Sequence, residues 1–130
     1  SAANSYRGEL MNTASNSLVI DFEHTTVEKV DHLLTHITNV RQDFKDDGQE
    51  LSIEVVAYGA AIQLFTQDGA EFRDRIAELQ GLGVIFSVCR NAMNALEVDD
   101  SQLLNAVEVV PSGVGHLVKM QLTGSAYIKA

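Results

Sequence analysis

Leu18-Val19-Ile20-Asp21-Phe22 is a β-branched apolar run and predicts a first strand. Thr25 or Thr26 offers a cap for the helix that follows, with Glu28 in the first turn, where negative charge suits the positive end of the helix dipole. Val27, Val30, Leu33/Leu34, Ile37, Val40 and Phe44 recur at helical spacing as one stripe, and Asp46-Asp47-Gly48 ends the helix. Leu51 to Ala57 predicts a second strand, with Gly59 in the turn after it and a short helix over Ala60 to Phe65. A longer helix is predicted over Ala70 to Gln80, with Phe72, Ile76 and Leu79 inward and Gly81 and Gly83 as its stop. Val84 to Val88 reads as a third strand with Cys89 immediately after it, Arg90 to Leu96 as a helix, and Asp99-Asp100-Ser101 as the start of a helical turn through Leu104. Val107 to Val110 is a fourth strand, and Pro111-Ser112-Gly113 leads into a last helix with Val114, Leu117, Val118 and Leu122 on its apolar side. That helix stops near Gly124, and Ala126-Tyr127-Ile128 is a short fifth strand.

Strands that alternate with helices imply crossover connections, hence a parallel sheet with helices on both faces. Strands two to four are nearly continuous apolar runs, as strands covered on both sides are. The pattern predicts an α/β domain of three layers, α/β/α, with a five-stranded, mainly parallel sheet. Ser1 to Ser17 is polar and rich in small residues; it reads as an N-terminal arm (1–17) ahead of a single domain (18–130).

The composition fits a globular domain: 130 residues, 45% hydrophobic and 21% charged, with a mean hydropathy of +0.01. No apolar run approaches the roughly 18 residues of a membrane span. Nine Lys and Arg against 18 Asp and Glu give a net charge of −9, which repels phosphate backbones and argues against general nucleic-acid binding. The arm has no apolar core of a signal peptide, so a cytoplasmic location is expected. An exported mature form is the alternative, because a signal already removed leaves no trace.

Ligands of an open parallel sheet bind beyond the C-terminal ends of its strands. Those ends carry Glu23-His24, Tyr58-Gly59, Cys89-Arg90-Asn91 and Pro111-Ser112-Gly113. Cys89 is the single cysteine of the chain, so it has no internal disulfide partner. It stands at the start of a predicted helix beside Arg90, and both features favour a thiolate over a thiol, whose ordinary pKa is about 8.5. A thiolate can attack a disulfide or accept sulfur as a persulfide. The alternative is a small core residue, and the acidic net charge opposes a stable anion. Tyr58 and Asn91 flank the same sheet end and could donate hydrogen bonds to sulfur or an anion, although turn and cap roles account for both.

Ser112-Gly113-Val114-Gly115 opens a helix with a backbone able to approach an anion. It lacks a P-loop lysine, and a tight turn capped by Ser112 is the simpler reading. His32 and His36 share one helix face with His24 as a potential third ligand, but no paired Cys or carboxylate motif accompanies them, and no metal or cofactor is expected. They lie off the apolar stripe, toward solvent or a partner subunit. His116 falls in the first turn of the last helix, near the sheet end or on the surface.

The stretches IEVVAYGAAIQLF, RIAELQGLGVIFSVCRNAM and VEVVPSGVGHLVKMQLTGSAYIK resemble the DsrE/DsrF-like proteins, and more narrowly their stand-alone, YchN-like branch. The most specific pieces are the pattern around Cys89 and the VEVVPSGV segment, and the resemblance runs from about Leu18 onward. It implies a three-layer α/β/α domain with a five-stranded parallel sheet, assembled as homo-oligomers, trimers or hexamers built from trimers. It also implies that Cys89, at the end of the third strand, accepts persulfide sulfur and exchanges it with separate sulfur-carrier proteins. The residues and the resemblance together favour a sulfur-relay protein with Cys89 as acceptor and Arg90, Asn91 and Tyr58 in support. The alternatives are a non-catalytic pocket bordered by Gly59, Cys89, Ser112 and Gly113, and an oligomeric regulatory subunit.

Overall fold

The computed structural model describes residues 16–130. Strands β1 (Ser17–Phe22), β2 (Ser52–Ala57), β3 (Ile85–Cys89), β4 (Glu108–Val110) and β5 (Ala126–Lys129) form one sheet in the order β4-β3-β2-β1-β5. Every pairing is parallel, with Leu18 opposite Ile53, Val55 opposite Phe86 and Cys89 opposite Val110. The helices are α1 (Val27–Asp46), α2 (Arg73–Gly81), α3 (Arg90–Ala95) and α4 (Gly113–Leu122). Thr26 caps α1 by accepting from the Lys29 amide at 3.3 Å.

Chain direction decides which face each helix covers. From β1 to β4 the chain steps one strand at a time toward one edge, and right-handed crossovers place α1, α2 and α3 on a common face. The step from β4 to β5 runs back across the whole sheet, so the same handedness puts α4 on the opposite face. The packing follows this division. Leu18, Ile20, Phe22, Ile53, Val55, Ala57, Phe86 and Val88 join Val30, Leu33, Leu34, Ile37, Ile76 and Met93 in the main core. Fully burying side chains of this size contributes about 1.5–3 kcal/mol each. The exposed Arg75–Asp31 pair, at 2.6 Å, is of a kind worth about 0–1 kcal/mol, so this core carries the fold.

The second face is thinly covered. Val19, Val56 and Val110 meet Leu117 of α4, with Tyr58 and Met120 packed at the side. Strand alternation puts Asp21, Glu54, Ser87 and Cys89 on this face as well. The expected apolar side of the last helix is corrected here. Leu117 and Gly113 point inward, whereas Val114, Val118 and Leu122 are 59%, 50% and 81% exposed. Positions 114, 118 and 122 make a separate stripe, about 100° around the helix from Gly113 and Leu117.

Two helical segments also differ in kind. Gly59–Phe65 and Gln67–Phe72 are 3₁₀ turns, and α2 begins only at Arg73. Gly69 has non-helical backbone angles, and an added Cβ there would lie 2.6 Å from the Leu64 carbonyl oxygen. The chain folds back on itself too tightly at that point for a regular helix. The arm expected over residues 1–17 falls mostly outside the described residues; Ser17 itself already opens β1.

Candidate functional site

The connection leaving β3 enters α3 on the main-core side, and the connection leaving β4 enters α4 on the other. Adjacent strands whose connections part in this way form a topological switch point, where open α/β sheets take their ligands. Cys89 ends β3, and Ser112-Gly113 follows β4 across that crevice.

Cys89 is a free cysteine, 6% exposed, and belongs to neither apolar cluster. It is the N-cap residue of α3, in extended backbone conformation, and its side chain makes no capping bond. Ser112 caps α4, its Oγ accepting from the Gly115 amide at 3.1 Å. Gly113 then comes down on the sheet end. A Cβ at this position would lie 3.2 Å from both Cys89 Cβ and Tyr58 Cβ. Neither atom can rotate away, so a side chain here would need the helix or the sheet end to give by a few tenths of an ångström. The helical ladder supplies no acceptor for the Gly113 and Val114 amides, and positive potential collects at this end of the helix.

The structure therefore brings Cys89, Tyr58 and Gly113 together, with Ser112 fixing the helix above them. Gly59 continues from Tyr58 with a φ of +60° and is exposed, as is Asn91 in the first turn of α3. Arg90 has a partner of its own. Its guanidinium donates to both carboxylate oxygens of Asp100, at 2.5 and 3.0 Å. That bonding raises the Arg90 pKa and lowers that of Asp100. The guanidinium is thereby committed to Asp100.

Two polar groupings on the α4 face were not apparent from sequence. Glu54, 9% exposed, accepts from Ser87 Oγ at 2.7 Å and from His116 Nε2 at 2.8 Å, both at Oε2. Asp21 Oδ2 accepts from Tyr127 Oη at 2.6 Å, while Oδ1 is buried without a hydrogen-bond partner among the described residues. Burial, followed by the neighbouring Asp21 carboxylate, pushes the Tyr58 phenol well above its usual range. The hydrogen bond to Asp21 leads the upward shift of Tyr127. The available signal was a carboxylate at one position of an otherwise apolar strand, in both SIEVVA and SLVIDF. Charged side chains are almost never buried unless paired, so each of these implied a partner.

The other sequence candidates lie apart. His32 and His36 are exposed on α1 with their rings stacked, centroids 6.1 Å apart. His24 bonds the Ala130 carbonyl oxygen through Nε2 at 2.9 Å and packs edge-on to Phe22. Among the described residues no group of three or more His, Cys, Asp or Glu is placed to hold a metal, and no helix is long and apolar enough to cross a membrane. A groove of about 100 Å³ lined by Leu34, Thr38, Arg41, Arg75, Glu78, Leu79 and Leu82 shares no residue with the Cys89 end of the sheet.

Sheet order and crevice define a three-layer α/β domain with a free cysteine at its switch point. The chain belongs to the DsrE/DsrF-like family, which residues 12–130 match, and that family is associated with sulfur relay. The match begins inside the segment read from sequence as an arm. A structure of the protein MTH1491 from Methanobacterium thermoautotrophicum, described as of unknown function, is 34% identical. It superposes with a TM-score of 0.82 over 88% of this chain and 99% of that one. The ychN protein from E. coli shares the fold at 13% identity and a TM-score of 0.72, over 88% and 99% of the two chains. BT1422 from Bacteroides thetaiotaomicron, a conserved protein of unknown function, shares it at 18% identity and 0.69, over 88% and 95%. No curated protein matches the chain.

Proposed function

We propose that this protein is a persulfide carrier in which Cys89 is the sulfur acceptor. The observation that carries the reading is the free thiol at the switch point with the amino end of α4 resting on it through Gly113. In the loading step the Cys89 thiolate attacks the terminal sulfur of a donor persulfide, R–S–SH. The new S–S bond forms as the donor's S–S bond breaks, and the electron pair leaves with R–S⁻. The hydrogen travels with the transferred sulfur, and no outside oxidant or reductant is needed. Delivery reverses the step onto an acceptor thiolate, carried by a separate sulfur-carrier protein. Peptide dipoles favour the anionic sulfur before and after transfer. Asn91, in the first turn of α3, supplies a hydrogen-bond donor to the sulfur, with Tyr58 packed beside Gly113 and Gly59 following it in the chain.

A homo-oligomer, a trimer or a hexamer built from two trimers, is part of the proposal. Its support is the apolar stripe that α4 turns away from its own sheet. The carrier is placed in the cytoplasm as part of the same proposal; among the described residues no helix is long and apolar enough to cross a membrane.

The test is incubation with a low-molecular-weight persulfide followed by mass spectrometry of the peptide containing Cys89. The wild type gains one sulfur atom there, removable by a thiol reductant, and Cys89→Ser gains none. A wild-type protein that never takes up sulfur would overturn the reading. If a small anionic ligand instead raises the melting temperature equally in wild type and Cys89→Ser, the Ser112-Gly113 turn is a binding site in its own right and the module is non-catalytic.

A further inference from the structure

We infer that Glu54 and His116 are positioning residues for Cys89: the buried Glu54 carboxylate ties the strand that carries the thiol to the helix that rests on it. The inference depends on Cys89 being the reacting group and adds the device that holds its surroundings.

Glu54 lies on β2, beside β3 in the sheet, and one oxygen, Oε2, receives both bonds. Ser87 Oγ donates at 2.7 Å from β3, two residues before Cys89 and on the same face. His116 Nε2 donates at 2.8 Å from the first turn of α4, three residues after Gly113. A carboxylate can only accept, so the hydrogen sits on Nε2. The side chains of Glu54 and His116 are 11% and 23% exposed, and Ser87 is 1% exposed. Removing one partner from such a buried carboxylate leaves charge without compensation.

The apolar packing of this helix is slight. Leu117 is its one buried apolar side chain, with Val114, Val118 and Leu122 facing out. The His116–Glu54 bond is thus a principal determinant of where the amino end of α4 rests. Electrostatic support from a helix terminus falls off within one turn, so a small lift of Gly113 from Cys89 weakens it. Burying a carboxylate merely to stabilise the fold would be a poor choice, because well-packed hydrophobic residues do so equally well. Its position between the Cys89 strand and the Gly113 helix accounts for it.

The experiment compares wild type, His116→Phe, His116→Gln and Ser87→Ala in the full chain, with Cys89 as the only thiol. The readouts are the ultraviolet absorbance of the thiolate at a fixed pH, the rate of persulfide uptake, and the melting temperature. Phenylalanine keeps the ring but not Nε2, and the thiolate-to-thiol ratio falls about two- to five-fold. Glutamine places an amide nitrogen near Nε2 and restores most of the ratio whether or not the melting temperature recovers. Ser87→Ala lowers the ratio in the same direction and decides the matter if His116→Phe fails to fold. An unchanged ratio in folded His116→Phe, or in Ser87→Ala when His116→Phe does not fold, overturns the inference. If the ratio falls as expected but wild-type Cys89 takes up no sulfur, the positioning role stands and the carrier reading fails.

Discussion

Tyr58 shows how one residue can take its chemistry from neighbours far along the chain. It follows β2 directly, and its ring packs with the Val19, Val56, Val110 and Leu117 cluster beside Gly113. Burial and the Asp21 carboxylate raise its pKa above the ordinary 10.0, and Tyr127 is shifted the same way by the bond it donates to Asp21. A raised folded-state value favours the neutral phenol in the native state. That contribution is complete below the unfolded value near pH 10 and is lost as pH climbs through the higher folded value. Wild-type stability therefore drops on passing from about pH 9 to about pH 11, and Tyr58→Phe shows a shallower drop. Urea melts at the two pH values read this directly; equal losses in wild type and variant would refute the assignment. Cys89 and Tyr58 were both legible in sequence because they stand where strand patterns end. The Asp21–Tyr127 bond was not, since it joins positions 106 residues apart.

At the scale of elements, periodicity locates most boundaries to within a residue or two, because strand and helix repeats are local properties of the chain. It finds the short helix at Gly59–Phe65, wound as 3₁₀, but starts the next helix at Ala70, where the backbone is still 3₁₀ beside a close approach at Gly69 and the α-helix begins at Arg73. It also gave α4 one apolar side where there are two. One holds Leu117 against the sheet; the other, Val114, Val118 and Leu122, stays open to solvent. An apolar stripe left open on a helix suits contact between copies of the chain. Val118 is half exposed, so Val118→Asp should leave the fold intact while lowering the mass measured by sedimentation velocity toward 14.2 kDa. A mass that does not change between wild type and variant would remove this stripe from the interface.

For the molecule as a whole, net charge and topology set the terms. A charge of −9 on 130 residues produces self-repulsion that compaction intensifies, and ions screen it over about 10 Å at 0.1 M salt. Raising sodium chloride from low to moderate ionic strength should therefore raise the melting temperature by a few degrees, roughly the shift of 0.5 kcal/mol for a domain of this size. A fall would mean that attractive surface pairs such as Arg75–Asp31 and Arg90–Asp100 outweigh the repulsion.

The order of elements, the parallel character of the sheet, the acidity and the cysteine at a strand end all follow from the sequence alone, because each is written in neighbouring residues. The return of the chain from β4 at one edge to β5 at the other was decided only in three dimensions. That crossing carries α4 over the second face, sets Gly113 on Cys89, and joins Glu54 to partners 33 and 62 residues away. No local repeat encodes it: contacts at such separations form only when the whole sheet has closed, and the handedness of the crossover selects the face on which they meet.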